Sequence, residues 1–194
     1  MERRNDGMLT RTLRAEFQTR EENDSRKISG YFAVFNSETE LWAGAYEEIS
    51  SNAFDNTLSG DIRALTNHDS TLVLGRNKAG TLTLRVDSRG LWGEITINEN
   101  DSDAVNLYER VKRGDVDQCS FGFEILKEST DWRGDGTVKW TIEEVRLHEV
   151  TVCTFPAYSD TGVQARHDQV DQYREKQVEQ WRHNTLKKLK GEKE

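Results

Sequence analysis

The chain has 194 residues, with 27 Lys/Arg against 35 Asp/Glu and a formal net charge of −8. Hydrophobic residues make up 34% and charged residues 32%, and mean hydropathy is −0.85, the profile of one ordinary-sized domain with a very hydrophilic surface or tail. The acidic balance argues against binding to a nucleic-acid backbone. No apolar run is long enough to span a bilayer, and residues 1–7 lack the apolar stretch of a secretory signal. The two cysteines, Cys119 and Cys153, have no CxxC spacing and point to a reducing compartment.

In chain order, Leu13, Ala15 and Phe17 alternate as in a strand, and so do Ile28, Gly30, Phe32 and Val34. A short helix is expected around Ser51 to Leu58, followed by a strand at 62–67. Residues 81–86 and 91–97 flank Asp87-Ser88-Arg89-Gly90, a hairpin closed by a glycine turn. A second helix runs from an Asp101 or Ser102 cap through Ala104, Val105, Tyr108 and Val111 to Gly114. Strands then fit 118–126, 137–147 and 149–155, the last stopped by Pro156. Many strands with few helices suggest a mostly β protein with some α, a barrel or sandwich with helices packed outside it.

Residues 164–194 differ from the rest. They hold eight basic and six acidic side chains, leaving 19 basic and 29 acidic in residues 1–163. The stretch from Gln164 through Lys190 reads as a charged helix. Its apolar positions (Val170, Tyr173, Val178, Trp181, Leu186 and Leu189) spread over more than half the helical circumference, so it makes no heptad seam. Two regions follow: a β domain at 1–163, and a helical tail at 164–194 that could tether the protein or be removed.

No metal-ligand spacing, Walker loop or GxGxxG after a strand occurs, so no metal or other cofactor is expected. His167 and His183 lie in the charged tail. His68 ends a predicted strand, where catalytic side chains are often displayed; on its own residues it reads first as a loop histidine paired with Asp69. Alternation puts Cys119, Phe121, Phe123 and Ile125 on an apolar face and turns Ser120 and Gly122 to the other. The glycine removes bulk beside the serine hydroxyl and would let a substrate backbone come close, although by themselves the two read first as a small polar residue on a strand's second face and a glycine at a bend. In residues 145–155, regular alternation places Glu149 with Val145, Leu147, Thr151 and Cys153 on the more apolar face, where an ionised carboxylate needs a partner. Such a carboxylate could orient a histidine, or it could sit at a bulge beside an arginine.

These segments also form an ordered set: ISGYFAVFN at 28–36, EEISSNAF at 47–54, DIRALTNHD at 61–69, LGR at 74–76, GTL at 80–82, RGD at 113–115, SFGF at 120–123 and EVTVCTFPAY at 149–158. The set resembles the prohead maturation proteases of tailed phages, the HK97-type family, over about residues 10–163. The resemblance implies a herpesvirus-protease-like fold, a closed β-barrel wrapped by helices. It implies a serine endopeptidase with Ser120 as nucleophile and His68 as base. Glu149 takes the third position, where the herpesvirus relatives use a second histidine, and His148 stands directly beside it. Ser51-Asn52 replaces the family's Pro-Gly. The implied partners are the major capsid protein or its scaffold segment, with self-association possible and no nucleic acid or membrane. The implied place is inside proheads in the host cytoplasm, where the enzyme would cleave scaffold and then itself. The competing reading is a catalytically silent capsid-assembly module that keeps the fold for scaffold binding.

Overall fold

Eleven strands and one helix make up the main body of the computed structural model, which describes residues 8–22, 25–155 and 160–189. The strands are β1 (Leu9–Arg14), β2 (Gln18–Glu22), β3 (Ser25–Val34), β4 (Thr39–Trp42), β5 (Ala45–Ile49), β6 (Arg63–Thr66), β7 (Asp69–Arg76), β8 (Leu82–Val86), β9 (Gly90–Thr96), β10 (Gln118–Trp132) and β11 (Val138–Cys153), with helix α1 (Ser102–Arg113) between β9 and β10. A 30-residue helix, α2 (Asp160–Leu189), lies in a separate unit. The division falls between Met1–Tyr158 and Ser159–Glu194. Pro156, expected to stop the last strand, and the Pro156-Ala157-Tyr158 part of the last motif lie outside the described residues.

The strands form two sheets. One is antiparallel, in the order β2-β3-β9-β8, and contains the expected β8–β9 hairpin. There Asp87 Oδ1 accepts hydrogen bonds from the backbone N–H groups of Arg89 and Gly90. The other is a seven-stranded mixed sheet running β1-β10-β11-β5-β4, with β6 also on β11 and β7 on β6. Between them lies a core that includes Ile28, Phe32, Phe54, Leu91, Ile95, Phe121, Phe123, Val150 and Val152. α1 contributes Ala104, Leu107, Tyr108 and Val111; its Asp101 cap accepts from the N–H groups of Asp103 and Ala104, and Gly114 ends it at φ 88°.

The closed barrel wrapped by helices does not form. The large sheet ends at β1 on one side and β4 on the other, and these ends do not pair. Strand β11 is long enough for its outer edge to be divided: Val138–Ile142 pairs in parallel with β5, and Glu149–Val152 pairs in parallel with β6. A forked sheet cannot return all its strands to one ring. Arg11 of β1 instead reaches Glu47 of β5, the strand next to the β4 end, with both arms, Nε to Oε1 and Nη2 to Oε2 at 2.8 Å. An open cleft of about 300 Å³ lies beside this pair, lined by Leu13, Val34, Leu41 and Phe121 among others. The expected short helix at 51–58 is a run of turns, with i→i+3 bonds such as Ala53 N to Ser50 O and Thr57 N to Phe54 O. Strands 137–147 and 149–155 are one strand, β11, the alternation read at Leu13, Ala15 and Phe17 falls mostly on the loop after β1, and β2, β4, β5 and β7 went unread in the sequence.

Glu47 is only 4% exposed, so its charge depends on the guanidinium across the seam. Arg11→Leu is expected to destabilise the fold by about 3–5 kcal/mol, because it removes a two-armed charge partner from a nearly buried carboxylate. Joint replacement of Arg11 and Glu47 by Met should recover much of that loss. Urea denaturation of the three variants measures both effects.

Candidate active site

Two neighbouring rows of residues cross the large sheet on the face opposite the aromatic core. In the first, Thr12 of β1 stands opposite Ser120 of β10, and Ser120 opposite Thr151 of β11. In the second, Thr10, Gly122 and Glu149 stand in line. The alternation expected for β10 holds: Cys119, Phe121 and Phe123 enter the core, and Ser120 and Gly122 turn away from it.

The expected phase of β11 does not hold. Gly122 pairs with Glu149 while Phe123 pairs with Leu147, so His148 is an extra residue in β11, a bulge. The bulge reverses the alternation. Val145 and Leu147 lie in the core before it, and Val150 and Val152 lie there after it. Glu149 and Thr151 are thereby moved to the Ser120 face. Regular alternation would have sent the Glu149 carboxylate into the hydrocarbon core.

His68 reaches this face by a different route. Thr66 pairs with Asp69, leaving Asn67 and His68 as a two-residue turn with φ of 50° and 59°. Both residues are in the left-handed region that type I′ hairpins require; asparagine accepts it readily, histidine at some cost. The turn is tied to β11 twice: Asn67 N–H donates to Val152 O at 3.1 Å, and Asn67 Oδ1 accepts from Thr154 N–H at 3.0 Å. Asp69 bonds Thr71 rather than His68.

The result is a contact of 2.6 Å between His68 Nδ1 and Glu149 Oε1. The other carboxylate oxygen, Oε2, accepts the hydroxyl of Thr151. Glu149 is 5% exposed, so both oxygens find their partners inside the protein. Gly122 makes the arrangement possible. A Cβ at that position would lie 2.5 Å from Glu149 Oε1 and 3.1 Å from its Cγ and Cδ. The space beside Ser120 therefore holds the carboxylate, not a substrate backbone as the sequence suggested. Sequence reasoning also missed Thr151, although its place two residues from Glu149 on one strand face was the available signal.

With Nδ1 donating to the carboxylate, Nε2 is the nitrogen left to accept a proton. Among the described residues, His68 Nε2 and Ser120 Oγ are both buried without a hydrogen-bond partner. His148 is directed elsewhere, with its Nε2 3.1 Å from Glu124 Oε1, a carboxylate that also takes Arg146. Cys119 faces the core and donates to Tyr31 O at 3.2 Å, and burial pushes its thiol pKa up. Burial and the Glu149 charge raise the Cys153 thiol to about 11. Neither sulfur is a ready thiolate. No group of His, Cys, Asp and Glu among the described residues could hold a metal ion.

A family model described as caudovirus prohead serine protease matches residues 14–176. The chain is similar to the prohead protease of Enterobacteria phage HK97, with 28% identity over 142 residues, 71% of this chain and 59% of that protein. The chain thus spans less than two thirds of that relative's length. Its fold is similar to that of the bacteriophage T4 capsid assembly protease, with a TM-score of 0.52 and 10% identity, covering 77% of this chain and 98% of the other. The family match runs from the last residue of β1 into α2 and takes in Ser120, His68 and Glu149, but not Thr10 or Thr12 of the same rows. On that match the chain belongs to the caudovirus prohead serine proteases.

Proposed function

We propose that the chain is a capsid-maturation serine endopeptidase in which Ser120 is the nucleophile, His68 the general base and Glu149 the orienting carboxylate. The observation that carries this reading is the buried 2.6 Å contact between His68 Nδ1 and Glu149 Oε1, on the same sheet face as a buried serine. His68 Nε2 takes the proton from Ser120 Oγ as that oxygen attacks a peptide carbonyl. Glu149 holds the tautomer and stabilises the imidazolium. The proton then passes to the leaving amine, and water hydrolyses the acyl-enzyme. Ser120 has no exposed surface, so a peptide reaches it only after local opening.

The substrate we infer is the scaffold segment of the major capsid protein or a separate scaffold protein, and then the protease itself, inside proheads in the host cytoplasm. The names of the HK97 and T4 relatives support that assignment. No described helix is long and apolar enough to cross a membrane. In α2, Arg166 and Val170 are buried, whereas Val178, Trp181 and Leu186, beyond the family match, are 46%, 67% and 56% exposed. This distal half, with Arg182 and Lys187, suits contact with the assembling shell better than a place in a core.

Three outcomes test the proposal. Co-expression with the capsid protein, read by mass spectrometry, should show processing that Ser120→Ala and His68→Ala each reduce by about 10⁴-fold or more. Glu149→Gln should lose far more activity than His148→Gln; the reverse order would make His148 the third member. The cradle of the carboxylate gives the second outcome. Gly122→Ala displaces Glu149 Oε1, and Thr151→Val removes the donor to Oε2, so each should lower kcat by about 10–100-fold, with Thr151→Ser near wild type. The third concerns the tail. Truncation after Lys176 should leave a cooperatively melting protein with Ser120-dependent activity that is missing from purified proheads, whereas normal incorporation would rule out a delivery role.

A further inference from the structure

A serine protease needs a donor for the oxyanion of its tetrahedral intermediate, and none of the three residues above supplies one. His68 is occupied by proton transfer, and Glu149 is anionic. Resting on the serine-protease reading of Ser120, we propose that the side-chain hydroxyl of Thr12 is an oxyanion donor of this enzyme. Thr12 Oγ1 is buried and has no hydrogen-bond partner among the described residues, the same condition as Ser120 Oγ and His68 Nε2. Thr12 stands directly opposite Ser120 in the β1–β10 pair. Side chains so placed share a face, with Cβ atoms about 4.5–5.5 Å apart. The hydroxyl therefore lies within reach of an atom bonded to Ser120 Oγ.

Its side of the serine is also the required one. The sheet order here is β1, β10, β11, β6. Ser120 on β10 thus has the Thr151–Glu149 strand and the His68 turn on one side and Thr12 on the other. In acyl transfer the base must face the serine proton and the leaving amine, which turns the carbonyl oxygen away from the imidazole. In this sheet, away from the imidazole means toward β1. As the Ser120 Oγ–C bond forms, the Oγ proton passes to His68 Nε2 and the carbonyl π pair moves onto oxygen. Thr12 Oγ1–H donates to that oxygen. When the intermediate collapses the C–N bond breaks, the amine takes the proton from His68, and Thr12 is released unchanged.

The alternative, a purely structural threonine, conflicts with its surroundings. A buried hydroxyl without a partner costs stability that an isosteric valine would not. Valine also suits a strand at least as well. A hydroxyl kept in that condition beside an unpartnered nucleophile and an unpartnered base is one whose partner arrives with the substrate.

The test uses a fluorophosphonate probe on the full chain. Attack by Ser120 displaces fluoride from phosphorus and develops charge on the phosphonyl oxygen, so labelling depends on the same donor. Wild type, Thr12→Val, Thr12→Ser and Ser120→Ala are compared for kinact, KI and Tm. Thr12→Val is expected to lower kinact by about 100-fold, with KI unchanged and Tm equal or higher, and Thr12→Ser should restore most of the rate. Thr12→Val labelled at the wild-type rate overturns the proposal. So does a slowed Thr12→Val whose Tm has fallen and which Thr12→Ser does not rescue. Labelling of Ser120→Ala as fast as wild type overturns the serine reading itself, a result separate from any comparison at position 12, and Thr12 falls with it.

Discussion

A nearly buried carboxylate on a sheet face is the constraint around which the body of this protein is arranged. Glu149 is 5% exposed, and an ionised group in that position is tolerable only if both oxygens are paired. One takes His68 and the other Thr151. Each partner imposes a demand on the backbone. Thr151 must share the Glu149 face. His68 must arrive from a turn whose two residues are both held at positive φ. Gly122 must lack a side chain, since the carboxylate lies where its Cβ would be. A residue found next to a serine for one apparent reason is therefore fixed by another: the glycine serves the acid rather than the substrate.

The bulge at His148 makes these demands compatible with a core. On an unbroken strand, residues 145 to 153 would commit Glu149 and Thr151 to the same side as Val145 and Leu147. One inserted residue sends Val150 and Val152 inward in their place, so the core loses no apolar surface and the polar pair gains the functional face. It also disposes of the competing histidine. His148, as the extra residue, is turned to Glu124. The division of β11's outer edge has a matching role. If β5 had continued along the whole strand, the chain would not have delivered β6 to Glu149–Val152, and the His68 turn would have no strand end from which to project. An unclosed sheet, with the Arg11–Glu47 pair bridging its seam, accompanies that placement.

Much of this was legible in the residues, and the misses have physical causes. The β8–β9 hairpin and α1 were readable because turn and cap chemistry is local: Asp87 to Gly90 in one case, Asp101 and Gly114 in the other. The faces of β10 followed from its alternation, which is regular from Cys119 to Phe123. Glu149 could be picked out as a carboxylate in need of a partner, but its face could not be had from alternation, because a bulge is one residue of irregularity that no period-two pattern reports. The 51–58 segment has helix-compatible composition, yet its backbone makes successive turns, with Ala53, Phe54 and Thr57 buried and Leu58 partly so. The strand pattern left barrel and sandwich both open, and closure was a property of the resemblance. Strands β2, β4, β5 and β7 went unread because they carry polar residues such as Arg20, Glu21, Glu40, Glu47, Glu48 and Asp69, and are held by their sheet neighbours rather than marked by their own periodicity.

The polar atoms left without partners complete the argument. Native interiors pair nearly all their buried donors and acceptors, and Glu149 illustrates how much local structure can be organised to satisfy one group. Against that background, Ser120 Oγ, His68 Nε2 and Thr12 Oγ1 remain unpaired within the same region of the sheet. The fold spends a positive-φ histidine, a bulge and a glycine on one carboxylate, yet leaves three neighbouring polar atoms unsatisfied. That asymmetry is what a preorganised site looks like before substrate arrives. Under the proposed roles, the groups that hold the base are already bonded, and those that would bond to the reacting atoms are held free. In the proposed mechanism such a division fixes the orientation of His68 in advance, while bond-making at Ser120 waits on the opening that admits a peptide.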